Sequence, residues 1–247
     1  MRRLHPPSLL SLLLLPPLGT LIGGWAVVSV EDPPEYGVVG TPITLTFAVR
    51  QHGVEPLKGL RPVVEARSGR QEARAVATAG PEAGQYRARV TLPEPGSWSV
   101  TIRSGFGNST LTLLPLTVIP RGAPSPAPLS TVERGRLLFA AKGCVGCHVR
   151  NELGGGKEAP NFGPGLTGKR FEATFLDRWL KDPSSMGPPR YGKGPMPDPR
   201  LQPAEIADFA VYLASDKAKR MTGGIHVVDS GYTAFKGTLA LKDAIAS

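Results

Sequence analysis

Cysteine is almost missing from this chain: there are two among 247 residues, and only four histidines accompany them. That scarcity leaves any zinc site incomplete, because such a centre takes about four sulfur or imidazole ligands. It also leaves no disulfide to pin a small β-fold, so a hydrophobic core must suffice. Clustered positive charge is lacking too. The formal charge is +9, but every segment shares it, and the like-charge knots are confined to Arg2-Arg3 and to Lys217, Lys219 and Arg220. A face that tracks phosphates needs clustered Lys and Arg, so nucleic acid is not an expected partner. No glycine-rich strand-to-helix turn of the dinucleotide-binding kind occurs, which argues against a nicotinamide cofactor.

Proline is abundant, at 26 residues, and suits short strands, turns and linkers more than a large helical core. Residues 1–24 pair Arg2 and Arg3 with an apolar run from Leu9 to Ile22. This pattern predicts a signal peptide or membrane anchor, and hence a periplasmic or other extracytoplasmic location with a possible membrane tether.

From 25 to 119 the dominant period is two. "ITLTFAV" sets Ile43, Leu45, Phe47 and Val49 on one face, and "QYRARVTL" does the same with Tyr86, Ala88, Val90 and Leu92. With "AVVSV", "PVVEAR", "EARAVAT", "SWSVTI" and "LTLLPLTVI" between turn signals, the pattern predicts an antiparallel β-sandwich of immunoglobulin type. Through "TPITLTFAVRQHG" and "EAGQYRARVTLPEPGSWSVTI" the segment resembles FixH-like or YtkA-like exported domains. His52, beside Gly53, reads as a turn residue rather than a copper ligand. Residues 120–129, "PRGAPSPAPL", hold four prolines in ten and read as a semi-rigid linker.

The period then changes. Thr131 is an expected N-cap for a helix over "VERGRLLFAAKGC", which delivers Cys144, Cys147 and His148 in one turn. Two cysteines at that spacing reach the two vinyl groups on one haem edge, and the adjacent histidine supplies an imidazole to iron. The competing readings of the five residues are half a zinc site, a redox-active dithiol and a plain disulfide.

Residues 130–216 resemble class I c-type cytochromes, through "GRLLFAAKGCVGCH", "GPGLTG", "FEATFLDRWLKDP" and "GPMPDPRLQPAEIADFAVYLAS". The resemblance implies an all-α haem domain behind the sandwich. It implies one covalent haem c on Cys144 and Cys147, iron bound by His148 and Met196, and Pro164 orienting the histidine. Met186 is the alternative sixth ligand. The expected role is then one-electron transfer between redox protein partners such as a dehydrogenase, an oxidase or another cytochrome, rather than enzymatic catalysis. A haem-based small-ligand sensor is the alternative.

Residues 217–247 fall outside that pattern. "LASD", "TGG", "IHVVD" and "GYTA" resemble the C-terminal end of short-chain dehydrogenases, and the likeness can reach back to Pro203. "YTAFK" has the Tyr-x-x-x-Lys spacing of their catalytic pair but lies at the wrong end of the pattern. The tail is expected to be a fused remnant.

Overall fold

The computed structural model describes residues 24–148, 153, 163, 165–167, 169, 171, 173–186 and 196–215. The expected signal or anchor, apart from Gly24, lies outside these residues, as do Pro164 and the tail 217–247. Among the described residues no helix is long and apolar enough to cross a membrane.

Residues 24–119 build two sheets around one core. Strands β1 (Ala26–Val30), β3 (Pro42–Gln51), β8 (Gln85–Thr91) and β7 (Thr78–Ala79) lie side by side, with β4 (Glu55–Pro56) added on β3. The second sheet runs β2 (Tyr36–Val38), β11 (Leu116–Ile119), β9 (Gly96–Arg103), β5 (Val63–Ser68) and β6 (Gln71–Val76), with β10 (Thr110–Thr112) on β9. Pairing is antiparallel except between β2 and β11. Alternation explains the packing: Leu45, Phe47 and Val49 from β3 meet Tyr86 and Val90 from β8, and Trp98, Val100 and Ile102 from β9 close the same cluster. Trp98 is fully buried and donates its indole N–H to Glu94 O at 3.0 Å, which satisfies the ring's one polar atom. A β-sandwich is therefore the N-terminal architecture. "LTLLPLTVI" is two strands rather than one, since Pro115 falls between β10 and β11 and has no N–H to give a ladder.

Beyond the sandwich the described residues form three α-helices, α1 (Thr131–Ala141), α2 (Ala173–Lys181) and α3 (Pro203–Ala214). The cap of α1 is Ser130, not Thr131: its hydroxyl accepts from Glu133 N at 3.3 Å and donates to Glu133 Oε2 at 3.0 Å. Helix α3 crosses α1 at Gly135, where a Cβ would stand 2.1 Å from Asp208 O. Phe139 stacks on Phe209 and meets Tyr212 edge-on there, with ring centroids 5.5 and 6.3 Å away.

The helices rest on the sandwich. Ala141 belongs to the sandwich core. Arg134 bridges Glu35 of the sandwich and Asp208 of α3. The proline-rich stretch runs along the sandwich, with Tyr36 Oη within 3.1 Å of Ser125 Oγ, so it does not hold the two parts at a distance. These three helices are what the described residues show of the segment expected to form an all-α haem domain; the β-sandwich is shown and that all-α domain is not.

Candidate functional site

Helix α1 ends at Lys142, and the chain turns on Gly143 at φ +77°, a left-handed conformation natural to glycine. A side chain at Gly143 would also meet Val28 O at 2.5 Å. Glycine therefore lets the next turn sit directly on β1. That turn is a single 3-10 coil over Cys144–Gly146, closed by Cys147 N–H and His148 N–H donating to Cys144 O at 3.1 and 2.8 Å. Gly163 comes back over it: its N–H donates to Cys147 O at 2.9 Å, and a Cβ there would lie 2.5 Å from His148 Cε1. The imidazole is thus wedged against bare backbone.

Lys142 fixes this turn from its N-terminal side. Its ammonium is almost fully buried, donates to Glu31 O at 2.8 Å and pairs with Glu205 Oε1 at 2.8 Å. The other oxygen of Glu205 accepts from Gln202 N at 2.8 Å and caps α3. One lysine therefore ties the end of α1, the end of β1 and the start of α3 together.

Cys144, Cys147, His148 and Met196 line one half-open cavity, which encloses about 60 Å³. Its other wall is the sandwich, through Val27, Ser29 and Arg50. Val27 and Arg50 are register partners across β1 and β3. Met196 is held by Trp179, whose indole N–H donates to Met196 Sδ at 3.0 Å. Pro197 packs on the β3–β4 turn at Gly53. His52 lies in that turn at φ 53°, its ring 5.4 Å from Trp25.

Neither cysteine is in a disulfide. Burial, with the neighbouring Cys147, pushes the Cys144 thiol up to about 12; burial raises Cys147 as well. Both thiols are protonated at neutral pH, so neither is an activated nucleophile as it stands. Among the described residues no group of three or more His, Cys, Asp or Glu is arranged to hold a metal ion. Met186 ends the short 3-10 turn Pro183–Met186 and is absent from the residues lining the cavity.

Sequence reasoning therefore named the sulfur and imidazole groups that share the cavity and missed its sandwich wall. Val27, Ser29 and Arg50 alternate with core residues, a pattern that reads as solvent-facing. Only the seating of the helices on that outer face reveals them. Lys142 gave no signal beyond its place next to the motif.

Comparison with known proteins bears on the C-terminal side of the cavity. The family model for enoyl-(acyl carrier protein) reductase matches residues 190–233, less than a fifth of the chain. A curated relative, the uncharacterized oxidoreductase YxjF of Bacillus subtilis, is 62% identical over 34 residues. Those residues are 14% of this chain, and the chain spans only 13% of that relative's length. Among solved structures, domains 4 and 5 of the S-layer protein SbsC share 17% identity over 37% of this chain and 44% of theirs, at a TM-score of 0.30. The Lin-41 filamin domain shares 14% over 40% and 86%, at 0.28. The Escherichia coli adhesin FdeC shares 23% over 38% and 31%, at 0.31. Scores this low carry no argument.

These findings correct the cytochrome reading. Residues 190–233 take in Met196 and the whole of α3, the parts the cytochrome resemblance needed for its distal ligand and last helix. The matched family model is that of a short-chain dehydrogenase-like enoyl reductase, and the matched relative is named an oxidoreductase. The expectations of a haem c cofactor, of one-electron transfer by a non-enzyme and of the haem-sensor alternative are overturned with it. Because the match is confined to one segment, it sets that segment, and not the whole chain, beside the family.

Proposed function

We propose that this chain is an oxidoreductase whose redox-competent groups are Cys144 and Cys147, with His148 and Met196 beside them. The observation that carries the reading is the convergence of these four side chains on one cavity between the sandwich and the helices. The class is supported by the match of residues 190–233 to an oxidoreductase family. Exchange with a partner disulfide closes the Cys144–Cys147 bond while the partner's S–S bond is cleaved to two thiols, which take up the two electrons and two protons, and a partner dithiol reopens it by the reverse steps. Cys147, the thiol less encumbered by its neighbours, is the one from which exchange starts, and His148 is the adjacent proton acceptor. The sandwich is of the immunoglobulin type in this reading, which is supported by two mainly antiparallel sheets around one core.

The test is an anaerobic redox titration of the full chain, with thiol content and optical spectrum read at each potential and with NADH and NADPH tried as donors. One reversible transition, lost in Cys144→Ser and Cys147→Ser, is expected. A thiol content that stays constant across the whole range overturns the reading.

A further inference from the structure

We propose that strand β6 is a self-association edge, pairing antiparallel with β6 of a second copy of this chain about a two-fold axis at Ala73. Among the described residues the two sheets end in β1, β7, β2 and β6. Strand β1 lies under the turn at Gly143, and β7 and β2 have only two and three residues. Strand β6 has six, and no described strand pairs with its outer side. Ala77 N–H donates to Pro62 O at 2.9 Å, so by antiparallel alternation Ala75, Ala73 and Gln71 direct their backbone groups to β5. Glu72, Arg74 and Val76 therefore turn theirs outward, as a row of donors and acceptors that another strand completes.

Charge selects both the occupant and the register. On the solvent face of this sheet Arg103 pairs with Glu65 at 2.9 Å and Arg67 with Glu72 at 3.3 Å. Arg74, the register partner of Glu65, is exposed and has no ion-pair partner among the described residues. With the axis at Ala73, Glu72 of each copy faces Arg74 of the other, and opposite charges directly across two strands attract. Each row then crosses the joint as Glu65, Arg74, Glu72 and Arg67, with the sign alternating at every step. An axis at Arg74 would set that residue against itself, so like charge rejects the neighbouring register. The favoured register also brings the methylene stem of Arg70 against Val76, which is 56% exposed in the single chain. The joint is the same patch used twice, and six residues a side make it small, so association is weak and sensitive to salt. None of these residues lines the cysteine cavity, and association is independent of the redox chemistry.

Sedimentation equilibrium of the full chain, carried up to the millimolar range, is expected to show a reversible monomer–dimer equilibrium that weakens with added salt. Arg74→Glu and Glu72→Arg should each weaken self-association by about tenfold or more. An equimolar mixture of the two variants should regain the dimer, because each then meets the opposite charges on the other. In the wild type the amides of Glu72 and Arg74 should gain protection from hydrogen exchange as concentration rises, a readout that needs no variant to fold. A wild type that stays monomeric, a dimer that both variants leave unchanged, a mixture no more associated than its components, or exchange at these two amides that ignores concentration overturns the proposal.

Discussion

At the scale of single residues, the cavity is defined by groups whose environment is unusual for their type. With a pKa of about 12, the Cys144 thiol is thiolate in roughly one molecule in ten thousand at pH 8, against roughly a quarter for a free cysteine. Alkylation by iodoacetamide at pH 8 should therefore be far slower at Cys144 than at a free cysteine, and slowed at Cys147 as well. Peptide mapping of the modified protein checks the order. The sign for stability follows from the same shift. The contribution of the protonated thiol is complete below pH 9.0 and is lost as pH rises toward 12. Unfolding midpoints of wild type and Cys144→Ala should accordingly converge over that window. Lys142 and Glu205 form the other notable pair, with side chains 6% and 10% exposed. Glu205→Ala strands a buried ammonium and removes the cap of α3, so a loss of about 3–5 kcal/mol is expected in denaturant titrations. Replacing both partners, Lys142→Met with Glu205→Leu, should recover much of it.

At the scale of elements, the contact between α1 and α3 depends on one missing side chain. Gly135→Val drives a branched side chain into Asp208 O and Tyr212, with an expected cost of about 1–3 kcal/mol or more. Gly146→Ala is the control, since nothing lies within 4 Å of its Cβ position; it should stay within about 0.5 kcal/mol of wild type. Thermal melts of the two variants decide this. The strands that bury one face were readable from the sequence because alternation is enforced by the core, as in β3, β8 and β9. β2 and β4 were not, since elements of three and two residues are too short to show a period. The cysteine turn was legible as chemistry through its spacing, but its partner wall was not. Arg50 occupies an outward position on β3 that becomes interior only because helices cover it. The C-terminal match exposed the opposite hazard: an apolar stripe such as Ile206, Phe209, Ala210 and Leu213 fits the last helix of more than one family. Periodicity reports burial and not ancestry.

At the scale of the whole molecule, sandwich and helices are joined at several independent points. Arg134 reaches Glu35, Lys142 reaches Glu31 O, Gly143 lies on β1 and Pro197 on Gly53. A molecule tied in this way should unfold as one unit. Hydrogen exchange is the check: amides of α1 and of β9 should report the same opening free energy, and protection lost first in α1 alone would show two separable bodies. The site belongs to both halves, since the thiols come from the helical part and Arg50 from the sandwich.

The central claim is that Cys144 and Cys147 are a reversible redox pair. The most direct measurement is the mass of the peptide spanning residues 143–148 from the native protein, recorded before and after treatment with a thiol oxidant and then a thiol reductant. The account predicts a loss of two hydrogens when the native dithiol is first treated with a thiol oxidant, their return on reduction, and no other mass on either sulfur. A mass increment on the two cysteines that survives the reductant, marking a permanent covalent group, would contradict it.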